Sequence, residues 1–257
     1  MTAEIKELRI VNADNKYGKV NLVEPATLGY IRIAATVQPG VIPVVLPSIE
    51  RTSLLVRLKE LARDLERVDQ VVRVRTFRAV IIPPTPKVNS YLKERGYSMH
   101  AEGFDVVALI ETASPETIPG VQASPAYSAF MDALQANAKA VNVLAARNVK
   151  RIADVDMAEN GLFLFNSFVA DDANIALELW DYLADWFMKE TGLDNSIVLA
   201  PLEGEQSEYA FINLARWNAS LPHQLFQMLT KKSFRGFVIA NLEVNRVGSL
   251  PAFYRLA

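Results

Sequence analysis

Two segments of the chain open on glycine and then alternate apolar side chains as a strand does: residues 29–37, Gly-Tyr-Ile-Arg-Ile-Ala-Ala-Thr-Val, and residues 161–169, Gly-Leu-Phe-Leu-Phe-Asn-Ser-Phe-Val. Each is followed by a stretch with helical spacing. In residues 48–67, Leu54, Leu55, Leu58, Leu61, Ala62 and Leu65 fall on one face, and Ser48 can cap the start. In residues 175–191, Leu179, Leu183 and Trp186 mark a face, and Gly192 suits the end of the helix. Second strands are predicted over 71–82, closed by Pro83-Pro84, and over 196–201, closed by Glu203-Gly204-Glu205. Third strands are predicted over 104–112 and 209–217, each trailed by an Ala-Ser pair, Ala113-Ser114 and Ala219-Ser220. Tyr127 lies 13 residues past Ser114 and Phe234 lies 14 past Ser220, and each opens an apolar pattern at helical spacing. Fourth strands are expected over 149–155 and near 252–256.

Strand, helix, strand, strand, helix, strand therefore occurs twice, the split βαβ pattern doubled. The fold class read from this is α+β: tandem ferredoxin-like βαββαβ repeats forming an intrachain dimeric α/β barrel. The reason is physical. Each antiparallel sheet has helices on one face and an apolar face left over, and a chain carrying two copies hides both apolar faces by packing them together. The predicted organisation is an N-terminal extension over 1–25 with a strand-like run at 7–11, a first repeat over 26–158, and a second over 159–257. The first repeat carries a long polar insertion, 83–103, bearing Tyr91, Tyr97 and His100; a connection of that length is read as a lid or binding loop. The halves are unequal, which predicts one site, in the second half with the first-half loop over it.

Composition narrows the function without naming it. There are 27 Lys plus Arg against 29 Asp plus Glu, a formal charge of -2, so no overall field argues for nucleic acid or an anionic membrane. Arg73, Arg75 and Arg78 make the densest basic stretch, and their strand spacing places two of them on one solvated face. The chain has no Cys, which removes disulfides, thiolate nucleophiles and Cys-based metal sites together. It shows no N-terminal signal pattern and no apolar run of 18 residues, so the expectation is a cytoplasmic protein.

Several motifs of the second half make it similar to one family. They are the strand with Phe163, Phe165, Asn166 and Phe168, the helical Trp180, the Gly192 to Leu199 turn into a strand, and Ile212-Asn213-Leu-Ala-Arg216-Trp217 before a helix. Over roughly residues 160–240 this resembles the antibiotic biosynthesis monooxygenase-like group of dimeric α/β barrels. The resemblance implies oxidation of a polycyclic phenol by O₂ without metal or flavin, in a cavity lined by an Asn and a Trp spaced as Asn213 and Trp217. Such chemistry needs an apolar cavity, a donor for the anionic oxygen and a base for the phenol proton. Asn213 is the candidate donor, Trp217 the wall and His223 the base; Asn166, Trp180, Tyr97 and His100 are candidate substrate contacts. Asn213 and Trp217 are four apart, so on a strand they share a face and both can enter the barrel. Each has a plainer alternative: Asn213 and Asn166 as hydrogen-bond partners of neighbouring backbone, Trp217, Trp180 and Trp186 as core, His223 as an exposed or capping residue. Arg216 is expected to face solvent or a helix.

Haem is the lesser alternative, since related barrels bind it through a His late in the second helix, where this chain reads 127–131 and 234–238 without one. Two isolated His give no metal ligand set, and the phosphate-loop and nucleophile-elbow motifs are absent. The function expected is therefore a small-molecule-binding barrel, in its enzymatic form a cofactor-independent monooxygenase on an aromatic or polyketide-like substrate. Its rival is a non-catalytic binding or assembly module of the same fold. No cofactor, nucleic acid or membrane partner is expected, and homo-oligomerisation is left open. Two observations discriminate: the face taken by Asn213 and Trp217, and a cavity of a few hundred Å³ beneath residues 83–103 as against a barrel filled by side chains.

Overall fold

A computed structural model describes residues 7–14, 16–94, 96 and 103–257. The first half runs β1 (Gly29–Thr36), α1 (Ile49–Leu65), β2 (Val71–Ile81), α2 (Pro86–Glu94), β3 (Val106–Thr112), α3 (Ile118–Gln122), α4 (Pro125–Gln135) and β4 (Ala140–Ala153). The second runs β5 (Leu162–Ala170), α5 (Ala173–Thr191), β6 (Ser196–Pro201), β7 (Phe211–Trp217), α6 (Leu221–Thr230), a π-helical turn Phe234–Ile239 continuing into α7 (Ala240–Val244), and β8 (Val247–Leu256). The strands close in the order β1-β3-β2-β8-β5-β7-β6-β4, antiparallel at every neighbour.

Each half supplies one four-stranded ferredoxin-like sheet, and the sheets join edge to edge through β2–β8 and β4–β6. First and third strands pair from Gly29↔Thr112 in one half and Leu162↔Trp217 in the other, so Arg32 and Phe165 hold matching positions. β1, β2, β5 and β6 end at one mouth of the barrel, here the upper; β3, β4, β7 and β8 end at the lower.

The first helices form where the apolar spacing placed them. Ser48 caps α1, its side chain accepting from the Arg51 amide, while Asp172 caps α5 and Gly192 ends it at φ 69°, a conformation that favours glycine. The fourth strands are longer than predicted, because β4 and β8 are the seams. Each pairs on both sides, yet each has many half-buried residues, and Gly248 and Pro251 further disguise β8 as loop. Residues 7–11 are not a strand. They are extended chain bonded to side chains of the second half, with Arg9 and Val11 held by Asn245 and Asn241.

Three apolar layers result. The interior holds Tyr30, Phe77, Phe163, Phe165, Leu214 and Tyr254 among others, and Phe77 touches both Phe163 and Phe165 edge-on across the seam at 5.1 Å. Outside the first sheet lie α1 and α4, and outside the second lie α5 and the π turn. Part of the 83–103 insertion is the helix α2, whose Leu92 is buried with the interior set and whose Val88 packs beside it. Among the described residues, no helix is long and apolar enough to cross a membrane.

Candidate functional site

Strand parity decides which of the expected residues face the interior. Phe163 and Phe165 of β5 and Ile212 and Leu214 of β7 point inward, so Asn166, Asn213 and Trp217 point outward, beneath the helices. Asn213 and Trp217 do share a face, but it is the helix-covered one, and the expectation that they enter the barrel is overturned. Asn213 Oδ1 accepts from Trp180 Nε1 at 3.0 Å and from Ser196 Oγ at 2.6 Å. Trp217 Nε1 donates to Thr191 Oγ1 at 3.2 Å, and Asn166 Oδ1 accepts from Ser249 Oγ at 2.9 Å. The first and third of these bonds fasten α5 to the outer face of the sheet, and the bond of Asn166 to Ser249 links neighbouring strands β5 and β8 on that face. Trp180 is buried in the same layer rather than in a cavity. His223 is exposed on α6, its backbone N–H donating to Ser220 Oγ at 3.4 Å and its Nε2 lying 3.5 Å from Gln227 Nε2. Tyr97 and His100 lie outside the described residues.

Face could not be read from polarity here because β1, β3, β5 and β7 are buried on both sides, by the barrel interior and by the helices. A polar residue in such a strand is equally an outlier on either face.

What the structure brings together instead lies at the upper mouth. A cavity of about 30 Å³ is lined by Arg32, Ile82, Pro83, Thr85, Gly103 and Phe104 from the first half and by Phe165, Ser167, Tyr209, Leu250, Pro251, Ala252 and Tyr254 from the second. Both halves build it, whereas the sequence predicts a site in the second half with the first-half loop over it. Arg32 is 2% exposed. It points up the barrel from the middle of β1, donating through Nη1 to Asn142 Oδ1 at 2.7 Å. Its guanidinium carbon stands 5.1 Å from the Phe104 ring centre and 5.6 Å from that of Tyr209. Its Nε is buried without a hydrogen-bond partner. Tyr254 donates through its hydroxyl to the Phe104 carbonyl at 2.7 Å, fixing that wall. Burial pushes the Tyr254 and Tyr209 phenols up, with the Arg32 charge acting in the opposite sense, so both hydroxyls stay protonated near neutrality. Among the described residues the lining contains one cation and no carboxylate or imidazole.

Beside the cavity, Asp105 is already committed. Its carboxylate accepts from the Val37 and Gln38 amides and from Arg51 Nη1 at 3.1 Å, a buried pair that ties α1 to the rim. Arg32 was legible in one respect: it is a single charge inside an apolar strand, and such a residue is rarely buried without cause.

The lower mouth is differently built. Arg216 turns inward rather than toward solvent, its guanidinium 5.9 Å from the Phe163 ring centre and bonded to the Asn160 carbonyl. A side chain at Gly161 would place its Cβ 2.3 Å from Arg216 Nε, so that glycine is what admits the guanidinium. Arg73 pairs with Glu111 and Arg75 with Glu66, so the basic stretch of β2 forms local ion pairs. An open polar cleft of about 330 Å³ lies outside this mouth, between Asp154, Asp156, Asp194, Arg216 and Trp217. No three His, Asp or Glu side chains converge among the described residues.

No family model matches the sequence, and no curated protein matches it. Solved structures do share its fold. An anthrone oxidase-like protein superposes with a TM-score of 0.61 at 10% identity, over 90% of this chain and 91% of its own. A candidate monooxygenase of Fusobacterium nucleatum gives 0.55 at 10% identity over 90% and 93%. A candidate monooxygenase of Lactobacillus acidophilus gives 0.50 at 10% identity over 90% and 96%. At such identity the likeness is one of fold, a closed α/β barrel of two ferredoxin-like sheets.

Proposed function

We propose that this chain is a small-molecule-binding barrel that oxidises an aromatic phenol or anthrone with O₂, with its site at the upper mouth over Arg32. The observation that carries the reading is a buried cation facing a cavity walled by Phe104, Phe165, Tyr209 and Tyr254. The shared fold with an anthrone oxidase-like protein supports the substrate class. In this scheme the substrate is bound as its enolate or phenolate, whose oxygen lies against Arg32, and the electron-rich ring reduces O₂. For an anthrone, one atom of O₂ becomes the new ring carbonyl, and the other leaves as water with the two hydrogens of the methylene carbon. A fixed cation at the anionic oxygen favours the ionised substrate. Because no described lining residue is a base, the proton passes to water and the rate follows ionisation of the substrate.

The test is oxygen uptake with anthrone as substrate. The wild-type protein should accelerate uptake, rising about tenfold per pH unit below the pKa of the bound substrate. Arg32→Gln should lose most of the acceleration. Uptake equal to that of protein-free solution overturns the oxygenation reading.

Two observations favour the second reading, a non-catalytic binding module: Asn213 and Trp217 lie on the helix-covered face, and the interior is filled by side chains, with a cavity of about 30 Å³ rather than a few hundred. Under oxygenation, only the carbonyl edge of the substrate reaches Arg32 in this conformation. Haem does not fit the described residues, since the cavity is far smaller than a porphyrin and His223, the histidine among them, stands exposed on α6.

A further inference from the structure

A guanidinium carries one positive charge and five N–H donors. Buried arginines elsewhere in this barrel have acids at hand: Arg51 has Asp105 at 3.1 Å, and Arg216 has Glu159 at 3.9 Å. Arg32, buried as deeply, has no carboxylate within ion-pair distance among the described residues. Asp105, the acid beside the cavity, is held by two backbone amides and Arg51. The bond to Asn142 uses one donor of Arg32, and the rings of Phe104 and Tyr209 attract the charge without neutralising it. An isolated buried cation is costly, and cation–π contacts offset only part of that cost.

We infer that the counter-charge of Arg32 is a small monoanion taken from solution and held in the upper cavity against Nε. Three features define the ligand. The cavity of about 30 Å³ has room for roughly two water molecules, which matches formate, nitrate or the carboxylate end of a longer acid. The lining offers a single cation among the described residues, so a monoanion is neutralised and a dianion is not. The planar N–H fork of arginine suits two oxygens on one centre. Ser167, on the same lining, adds a hydroxyl donor for such an oxygen. This inference rests on reading the cavity as a ligand site but not on oxygenation. Any organic substrate of the site then reaches Arg32 by exchanging with the resident anion, and small oxyanions inhibit competitively.

The experiment titrates full-length protein, in a buffer whose only anion is a bulky sulfonate, with sodium formate or with formamide as the neutral isostere. The readouts are the Nε–H resonances of ¹⁵N-arginine-labelled protein and the thermal midpoint. Formate should shift one arginine Nε–H saturably and raise the midpoint with concentration, as a ligand of the native state must. Formamide should do neither. Arg32→Gln should lose that resonance and weaken formate binding at least about tenfold, the scale expected for a hydrogen bond to a charged group; Arg32→Lys, which keeps the charge without the fork, should fall between. An equal response to formate and formamide, or an undiminished response in Arg32→Gln, overturns the anion assignment and leaves the cavity as a neutral ligand site. No response to either probe in the wild-type protein overturns the ligand site itself. Formate binding with no inhibition of anthrone oxidation leaves the anion site standing and removes the oxygenation reading from this mouth. The wild-type comparison needs no variant, so a misfolded substitution does not shelter the inference.

Discussion

Asn213 sits beneath α5, where one carbonyl oxygen accepts from both Trp180 and Ser196. Replacing it with Leu keeps the volume but strands the buried Trp180 Nε1–H, while Ser196 Oγ keeps the Leu214 carbonyl at 3.1 Å; one group left unpaired costs roughly 1–3 kcal/mol. Asn213→Leu is therefore expected to lower the urea midpoint by an amount equivalent to about 1–3 kcal/mol while leaving formate binding at Arg32 unaltered. A variant of wild-type stability would show that the asparagine is not a fastening for α5. The residue was conspicuous in the sequence, and so was Trp217, but their polarity marks a bond to a helix rather than a wall of the cavity. Arg32 was equally conspicuous as one charge among Tyr30, Ile31, Ile33 and Ala34. Its meaning depends on side chains 70 or more positions away, at Phe104, Asn142 and Tyr209, which no local pattern joins to it.

At the scale of elements, two devices hold added segments onto the repeat. The helix α2 reaches the barrel because Gly248 leaves space: a Cβ there would lie 2.6 Å from Val169 Cγ2 and 3.0 Å from Val88 Cγ1. Gly248→Ala should displace α2 from β8 at a cost of about 1–3 kcal/mol, seen as faster hydrogen exchange of α2 amides than of β5 or β7. Unchanged exchange in α2 would mean that the contact yields without lifting the helix. The second device is the N-terminal segment, whose Tyr17 packs on Phe237 at 4.5 Å while Glu190 gathers Lys16, Tyr17 and Lys231. Hydrogen bonds from Lys16 and then Lys231 hold the Glu190 carboxyl down to about 2 against its usual 4.5. A carboxylate with a depressed native pKa contributes stability that is complete above about pH 4.5 and is lost as pH falls through about 2. Glu190→Gln should flatten the fall in urea midpoint between those values, and a profile parallel to wild type would remove Glu190 from the acid transition.

For the whole molecule, closure through β2–β8 and β4–β6 makes each half the partner of the other's edges and apolar face. The halves should unfold together. The sequence supplies a probe for this, because its 3 Trp, Trp180, Trp186 and Trp217, all lie in the second half. Tryptophan fluorescence thus reports one half and far-ultraviolet circular dichroism both, and the two urea transitions should coincide in midpoint and slope. A fluorescence transition displaced from the dichroism transition would show two independently folding units.

By itself, the sequence determined the order of the barrel strands and of the helices packed on them, the helix α2 within 83–103 excepted, and hence the barrel, because helical and strand periodicities are local and an apolar face without cover implies a second sheet. It also set the strand parity that puts Asn213 and Trp217 on one side. Only the tertiary structure decided which side that is. In strands with water on one face, polarity names the face; β1, β3, β5 and β7 have helices on one side and the opposite sheet on the other, and both exclude water alike. The cavity was likewise beyond local reading, since it exists only where Arg32 of the first half meets Phe165, Tyr209 and Tyr254 of the second.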